Sequence, residues 1–294
     1  MTKKAVGAMP NYEQLGKIFH DFRTNRSVSL KQIADEYVSA SQISRFERGQ
    51  SDISLSRFLR VLDNMHVEMN EFMNAVRGSD KTETIRFMSQ LVPLEYQRDK
   101  TGFQRLFREQ KSKYEKNPSV YQYRLNMILA QSFICKCDGS VPFPKEYMDE
   151  VTDYLFSVGE WKIYELILIG NLYLFMDIPL LDRMGREIVA NHARSGANTG
   201  LITVTLLNIW ETCLHRDELK TAAFYRDSIL PLLDDETLLY ERNLYLFLSG
   251  LHRFKSGEKE RGREEMRRAI QIYEWLGCPH LARNYREDLA KYAI

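Results

Sequence analysis

The feature that most constrains the fold is a spacing of about 40 residues between polar breaks in the second half of the chain. Asp138, Asp177, Asp217 and Gly257 each follow an apolar stretch, and they lie 39, 40 and 40 residues apart. Such residues end helices, and two helices with their turns fill one period. A single helical hairpin cannot bury its apolar face alone, so neighbouring hairpins stack. The spacing therefore predicts a TPR-like or HEAT-like α-solenoid.

Apolar residues also recur at spacings of three and four almost everywhere, and alternating β-branched runs are scarce, which predicts an all-α protein. The predicted inner helices of the repeats are 120–136, 161–176, 200–215 and 238–255. The predicted outer helices are 145–157, 179–193, 219–233 and 258–276, and a segment at 279–293 closes the end.

A change of composition near GSDKTE (78–83) divides the chain. Gly, Ser and Asp end one helix and cap the next, so we place a linker at 78–84. The predicted domains are 1–77, with its core at 12–77, and the helical-repeat domain 85–294.

Several classes of protein are disfavoured by the sequence. The N-terminus lacks an apolar signal segment, and no apolar run is long enough to span a membrane, so we expect a cytoplasmic protein with no membrane partner. The four cysteines lack zinc-site spacing and are expected to be reduced thiols. The common nucleotide-binding, protease and hydrolase motifs are missing, and no histidine has a convincing ligand partner three or four residues away. We expect no enzyme, no cofactor and no metal.

Five short helices are predicted in the N-terminal domain, at 13–25, 30–37, 41–48, 55–65 and 69–77. Ser29 and Gln32 have the spacing of a capping box at the start of the second helix. Gly49 suits the left-handed position after the third helix, and Ser54 is the predicted cap of the fourth. The second helix, a tight turn at Val38–Ser39 and the third helix form a helix-turn-helix unit.

The third helix has one apolar face and one polar face. Ile43 and Phe46 are predicted to pack inward, together with Ile33 and the small Ala34 of the second helix. The residues left facing outward on the third helix are Ser41, Gln42, Ser44, Arg45 and Arg48.

This outward face has the chemistry of a DNA reader. Arg45 can bind guanine O6 and N7 with two hydrogen bonds, and Arg48 is better placed for a phosphate. Ser29 and Lys31 open the second helix, where free backbone N–H groups attract phosphate. The charge signal is weak, because the net charge of the chain is only +1 and residues 1–77 carry eleven basic against nine acidic residues. Charge alone leaves open that Arg45 and Arg48 are ordinary solvated residues.

The stretch Leu30–Gly49 resembles the phage-repressor (XRE-type) helix-turn-helix family, most specifically in ISRFERGQ (43–50). The resemblance implies that residues from Ser39 to Arg45 enter the major groove. It implies further that Ser29, Gln42 and Arg48 hold phosphates and that Glu47 bonds within the domain. Ala40 stands where a polar base reader is usual, and it can offer only a methyl contact to thymine.

With the helical hairpins that follow, the chain resembles the Rgg/GadR/MutR regulators, most strongly in SASQISRFERGQSDIS (39–54) and in 241–285. The resemblance implies a homodimer, a palindromic promoter site in double-stranded DNA, and quorum sensing through a short hydrophobic peptide on the concave repeat surface. RNA polymerase is a further partner that such a regulator would contact.

Aligning the inner helices by 40 residues gives a candidate peptide surface. Amide side chains can bond both the N–H and the C=O groups of an extended peptide. The candidate peptide-binding residues are Arg124, Tyr164, Asn171, Asn208 and Glu211. The same register also offers Gln131, Leu168, Val204, Leu244, Leu248 and Leu251. The alternative is that asparagines such as Asn171 and Asn208 only bridge neighbouring helices.

Two other functions remain open. The repeats could form a scaffold that binds a protein partner, with the helix-turn-helix serving autoregulation. The chain could also be an autorepressor of the antitoxin type that binds no ligand.

Overall fold

The computed structural model describes residues 11–77, 83–195 and 198–292. Every regular element in these ranges is a helix, so the all-α prediction is confirmed. The chain divides into two compact units, Met1–Gln90 (unit 1) and Leu91–Ile294 (unit 2), and the division falls inside helix α6 (Glu83–Gln97). Of the predicted linker, 78–82 lie outside the described residues, while 83 and 84 begin α6.

Five helices of unit 1 precede α6, and they enclose an aromatic core. The ring centroids of Phe19 and Phe46 are 5.7 Å apart, and those of Phe58 and Phe72 are 4.8 Å apart. Ile33, Ile43 and Phe46 are fully buried, as predicted, and Ala34 packs half-buried against them. The helices are α1 (Tyr12–Asn25), α2 (Leu30–Ile33), α3 (Ala40–Glu47), α4 (Leu55–Asp63) and α5 (Met69–Arg77).

The second helix is shorter than predicted, because it ends at Ile33 and not at Tyr37. Asp35 Oδ1 accepts hydrogen bonds from the backbone N–H groups of Tyr37 and Val38 at 2.8 and 2.9 Å. Asn64 Nδ2 donates to the Ile33 carbonyl at 2.9 Å, which satisfies the end of the helix. An aspartate side chain that bonds the following backbone competes with helical hydrogen bonds, and here it forms the turn instead.

The predicted caps of unit 1 are mostly present. Ser29 and Gln32 form the expected capping box, and Gly49 has a positive φ of 65°. Ser54 lies at the start of α4, but its side chain makes no capping hydrogen bond, so that part of the prediction is wrong. Its Oγ lies 3.3 Å from Ser56 Oγ.

Unit 2 follows the predicted series of helical hairpins within a few residues at most helix ends. Two predicted helices end early and continue as single 3-10 turns, at Tyr173–Phe175 and at Leu230–Leu233, the second of which contains Pro231. The helices are α7 (Lys100–Lys116), α8 (Tyr121–Cys137), α9 (Lys145–Ser157), α10 (Ile163–Leu172), α11 (Ile178–Ser195), α12 (Thr199–His215), α13 (Leu219–Ile229), α14 (Leu239–Lys255), α15 (Lys259–Trp275) and α16 (Pro279–Ala290).

The predicted inner helices stack on one another, since α8 contacts α10, α10 contacts α12, and α12 contacts α14. Hydrogen bonds and ion pairs between groups about one repeat apart join successive hairpins. Arg216 Nη1 donates to the Met176 carbonyl at 2.6 Å, and Lys255 Nζ lies 2.6 Å from Asp217 Oδ1. Their sequence separations are 40 and 38 residues, which confirms the period found in the sequence. None of the described helices combines the length and the apolar character needed to cross a membrane.

Candidate functional site

Helix α3 begins with a capping box that uses two of the predicted DNA-binding residues. Ser39 Oγ accepts from the Gln42 N–H at 3.3 Å, and Gln42 Oε1 accepts from the Ser39 N–H at 3.0 Å. The helix therefore starts at Ala40, one residue before the predicted start. The cap occupies Gln42 Oε1 and leaves the amide Nε2 as the group that can donate to a ligand.

The outward face of α3 carries the predicted cations. Ser41, Arg45 and Arg48 are exposed and Ser44 is half-buried. Arg48 Nε donates to the Ser44 carbonyl at 3.2 Å, across the last turn of the helix. Within 11–77, 83–195 and 198–292, the side chain of Arg45 has no hydrogen-bond or ion-pair partner, so its guanidinium is available to a ligand.

Helix α1 lies against α3 at Gly16. A Cβ atom at this position would lie 2.1 Å from the carbonyl oxygen of Phe46, so only glycine allows the two helices to approach this closely. Ala34 was the small residue predicted at a helix crossing, and Gly16 was missed. Its position between Leu15 and Ile18, on the apolar face of a predicted helix, was the available signal.

A buried ion pair fixes the end of α3 to α1. Arg23 Nε and Nη2 donate to the two carboxylate oxygens of Glu47 at 2.6 and 2.9 Å, and His20 Nδ1 lies 3.0 Å from Glu47 Oε2. Burial raises the pKa of Glu47, but the hydrogen bonds from Arg23 and His20 outweigh it, and the pKa lies below its ordinary value. Glu47 thus bonds inside the domain, as the resemblance implied.

A second ion pair fixes the turn that precedes α3. Arg60 Nε on α4 donates to Asp35 Oδ2 at 2.9 Å, and its guanidinium lies 4.0 Å from the ring centre of Tyr37. The hydrogen bond from Arg60, with those from the backbone of Tyr37 and Val38, lowers the pKa of Asp35 to about 2.

These pairs explain how a domain of weak net charge presents a cationic face. Asp35 and Glu47 are neutralised by arginines that lie away from the outward face of α3, and Glu71 is paired with Arg26 at 2.8 Å. Lys31 and Ser29, at the start of α2, are both exposed. Among the described residues, Lys31, Arg45 and Arg48 have no acidic partner.

The candidate peptide-binding residues of unit 2 are more strongly engaged with the protein itself. Arg124 binds Glu150 through Nη2 at 2.7 Å, and its guanidinium lies 4.9 Å from the ring centre of Tyr147. Tyr164 Oη donates to Asn126 Oδ1 at 2.9 Å, which ties α10 to α8.

The two asparagines differ in their contacts. Asn208 Nδ2 donates to the Gly170 carbonyl at 3.2 Å, so this side chain does bridge α12 and α10. Asn171 Nδ2 donates to the Ile167 carbonyl of its own helix at 2.8 Å. In 83–195 and 198–292, the Oδ1 atoms of both residues accept no hydrogen bond and remain available as acceptors.

The prediction that leucines of α14 form an apolar wall of the peptide groove is wrong. Leu244, Leu248 and Leu251 are fully buried, and so is Leu168 of α10. Helix α14 packs against α15, and Tyr285 of α16 lies 4.7 Å from Phe247, ring centre to ring centre. These leucines therefore pack inside the stack of helices and do not line an open groove.

One cation that sequence reasoning missed lies in the same unit. Lys136, in the last turn of α8, has a side chain only 16% exposed, and its Nζ lies 4.0 Å from Glu95. The ammonium also lies 4.6 Å from the ring centre of Phe133 and 5.5 Å from that of Tyr173. Burial lowers the pKa of Lys136. A lone lysine at the end of an apolar helix is the signal that could have singled it out.

The match that decides the family lies in unit 2. The family described as "HTH-type transcriptional regulator Rgg, C-terminal domain" matches residues 104–287, which is more than half of the chain. The chain belongs to the Rgg family. This Rgg-family protein is therefore a transcriptional regulator and not an enzyme, as predicted.

Solved structures resemble it over nearly their whole length. The SHP pheromone receptor Rgg2 of Streptococcus dysgalactiae is 28% identical, with 94% of this chain and 99% of that chain covered and a TM-score of 0.77. A putative transcriptional regulator from Listeria monocytogenes EGD-e is 19% identical, with 96% and 98% covered and a TM-score of 0.79. PlcR of Bacillus thuringiensis, solved with the peptide PapR7 and DNA, is 15% identical, with 94% and 99% covered and a TM-score of 0.65. The last two show likeness of fold.

Proposed function

We propose that this Rgg-family regulator binds a palindromic promoter site as a homodimer, and that a short hydrophobic peptide bound by the repeats controls it. The DNA-binding domain in this proposal is 1–77, and the peptide-sensing and dimerisation domain is 85–294. The regulator would act in the cytoplasm, where it meets DNA and RNA polymerase.

The observation that carries the DNA-binding proposal is the unpartnered guanidinium of Arg45 on the outward face of a rigidly held helix. Gly16 and the Arg23–Glu47 pair fix α3, so little ordering of the helix remains to be done on binding. Arg45 would bind a guanine edge in the major groove.

The other residues of the face have supporting roles. Ser41 and Ser44 would contact base edges beside Arg45, and Ser39 would lie at the rim of the groove. Phosphates would be held by the Nε2 amide of Gln42, by Arg48, and by Ser29 and Lys31 at the start of α2.

The peptide part of the proposal is supported by Rgg2, which is described as a pheromone receptor and is 28% identical to this chain. PlcR, of similar fold, was solved with a peptide and DNA. In this chain the free Oδ1 atoms of Asn171 and Asn208 would accept N–H groups of an extended peptide. Arg124, Tyr164 and Glu211 would line the same surface.

The DNA-binding proposal is tested with operator fragments selected by the full-length protein from random duplexes. Arg45→Ala should weaken specific binding by about 1–3 kcal/mol and relax the preference at one base pair. Arg48→Ala should weaken binding to all sequences alike. Arg57→Ala, which removes an exposed arginine of α4, is the matched control and should keep the base preference.

The readout is fluorescence anisotropy over a series of salt concentrations. Unchanged affinity and unchanged base preference in Arg45→Ala would rule out its role as a base reader. If Arg57→Ala changed the base preference equally, the residues that read the bases would lie on α4 and not on α3.

The peptide proposal is tested by calorimetry with the peptide encoded by a small open reading frame beside the gene, and with a scrambled peptide as control. Asn171→Ala is the clean variant, because its side chain bonds only its own helix. Binding in the micromolar range or weaker would count against peptide sensing. Capture of a protein partner would then support the scaffold. A toxin gene adjacent to this gene would support the antitoxin-type repressor.

A further inference from the structure

Three ionisable side chains from two distant parts of the chain meet on one side of unit 2. His215 Nε2, on α12, lies 3.9 Å from Glu211 Oε1 on the same helix and 3.6 Å from Asp288 Oδ2 on α16. One donor atom from each of the three lies within 4.8 Å of the others. No metal was expected from the sequence, because no histidine has a convincing set of ligand partners three or four residues away; Glu211 lies four residues before His215, and only the fold brings Asp288 near.

Asp288 has a carboxylate oxygen whose bonding is incomplete. The residue is 8% exposed, and its Oδ2 is buried without a hydrogen-bond partner among the described residues. Its Oδ1 accepts from Lys291 Nζ at 2.8 Å, so the carboxylate is anchored on one side only. Buried polar atoms are nearly always satisfied, and an exception indicates an unseen ligand or ion.

The imidazole of His215 is oriented by a contact of its other nitrogen. Nδ1 lies 3.0 Å from the hydroxyl of Tyr292, and the two rings stack with centroids 6.5 Å apart. When Nδ1 carries the proton and donates it to Tyr292, the Nε2 lone pair faces the two carboxylates. A partner that fixes the tautomer and the ring orientation in this way is the usual companion of a metal-binding histidine.

We propose that Glu211, His215 and Asp288 bind a divalent transition-metal ion, with Zn²⁺ as the cation best matched to one nitrogen and two oxygen donors. Donor atoms of a tetrahedral zinc site lie roughly 3.3 Å apart, given bonds of about 2.0–2.2 Å. The two separations from His215 Nε2 are 3.9 and 3.6 Å and all three lie within 4.8 Å, so side-chain rotations would have to bring the donors closer together. Water would complete the coordination.

The competing explanation is an ion pair between protonated His215 and the carboxylates. An N–H···O⁻ bond in such a pair has a length of about 2.7–2.9 Å. The 3.6 Å from His215 Nε2 to Asp288 Oδ2 is too long for that bond, although Oδ2 has no hydrogen-bond partner among the described residues that would hold it away.

Metal at this point would join the last helix to an inner helix of the repeats. Asp288 belongs to α16, which also covers α14 through Tyr285 and Phe247. Glu211 is also a candidate for the peptide surface, but metal binding does not require a peptide, because all three ligands belong to the chain itself.

The test measures Zn²⁺ binding to the full-length protein after treatment with a chelator. We expect one Zn²⁺ per chain by equilibrium dialysis, and a visible absorption band of bound Co²⁺ when Co²⁺ replaces it. His215→Ala and Asp288→Asn should lose more than about 100-fold in affinity. Glu211→Gln, at a partly exposed position, should lose affinity without loss of fold. Tyr292→Phe should lose about 10–100-fold, because it removes only the orienting contact.

The matched control is His280→Ala, which removes an exposed histidine from the same helix α16. Circular dichroism shows which variants are folded, and only those are compared. The proposal would be overturned if the parent protein did not bind Zn²⁺. It would also be overturned by equal affinities in the parent, Glu211→Gln and Tyr292→Phe proteins, or by a loss in His280→Ala as large as in His215→Ala.

Discussion

The capping side chains of unit 1 and the side chains that join repeats in unit 2 bond over very different distances along the chain. In unit 1, Ser29 bonds with Gln32 and Ser39 with Gln42, three residues along the chain. In unit 2, Tyr225 Oη donates to Asp182 Oδ1 at 2.9 Å, 43 residues away. Local caps are readable in a sequence, whereas a bond between repeats depends on how the hairpins stack.

This difference explains why the candidate DNA-binding residues are available to a ligand, whereas the candidate peptide-binding residues are already bonded within the protein. The caps and the ion pairs of unit 1 engage residues that flank or lie behind the outward face of α3, so Arg45 stays free. The contacts between repeats engage the inner helices themselves, so Tyr164 and Asn208 are already bonded. An outward position on a helix is therefore a good sign of availability in unit 1 and a poor one in unit 2.

The largest effect that separates the units is expected from Phe46→Ala. Phe46 is fully buried between Phe19 and Phe58, and truncating it should destabilise unit 1 by about 3–5 kcal/mol. DNA binding should be lost while peptide binding to unit 2 persists. Chemical denaturation followed by circular dichroism measures the loss, and Leu55→Ala, at an exposed position of α4, is the control. Loss of peptide binding as well would show that the units do not fold independently.

A smaller effect is expected from Glu47→Gln, which leaves Arg23 without its charged partner. The loss should be about 2–3 kcal/mol in unit 1, since each hydrogen bond to a charged group contributes more than a neutral one. Operator affinity should fall with the base preference unchanged, because Glu47 positions α3 without touching DNA. Glu36→Gln, an exposed acid in the turn, should change neither quantity. An altered base preference in Glu47→Gln would contradict this account.

The pH dependence should distinguish the units at alkaline pH. Burial, together with the hydrogen bond to Asp182, raises the pKa of Tyr225 above its ordinary value of 10.0, and burial raises that of Tyr164. The unfolded chain releases these protons above about pH 10 while folded unit 2 retains them, so its stability falls as the pH rises further. Tyrosinate absorbance should then appear together with loss of helix. Helix loss that precedes the absorbance change would exclude this cause.

Acid should act on unit 1 through its carboxylates. Asp35, with a pKa of about 2, and Glu47, with a lowered pKa, stabilise the fold above their unfolded values and lose that contribution as the pH falls. Operator affinity should therefore decline below about pH 4, the range of unfolded carboxyl pKa values. Asp35→Asn should flatten the decline, whereas Asp52→Asn, an exposed control, should not.

The smallest effect is expected from Tyr225→Phe, which removes one hydroxyl between repeats. The loss of about 1 kcal/mol should fall on unit 2 alone, because the ring stays in place and only the bond to Asp182 disappears. Thermal unfolding measures it, with Tyr12→Phe of α1, at an exposed tyrosine, as control. If Tyr225→Phe changed the affinity of the protein for an operator half-site, unit 2 would be coupled to DNA binding, and the effect would not be confined to unit 2.

Most helices were predictable from the sequence because apolar spacing and caps are local properties. The 40-residue period located the hairpins of unit 2, and the capping box at Ser29 and Gln32 located α2. The end of α2 at Ile33 was missed although the turn made by Asp35 is local, whereas the amide of Asn64, which follows α4, reaches Ile33 only through the fold. The burial of Leu244 and Leu248 was missed because it depends on how α14 packs against its neighbours α12 and α15.

The sequence by itself determined an all-α chain, a helix-turn-helix with Arg45 on its outward face, and a stack of hairpins with a period near 40 residues. Each of these follows from patterns within one or two turns of helix or from their repetition. The tertiary structure alone decided that Gly16 sets the distance of α1 from α3 and that Arg23 neutralises Glu47. It alone brought Asp288 to His215, because contacts between distant segments exist only once the helices have packed.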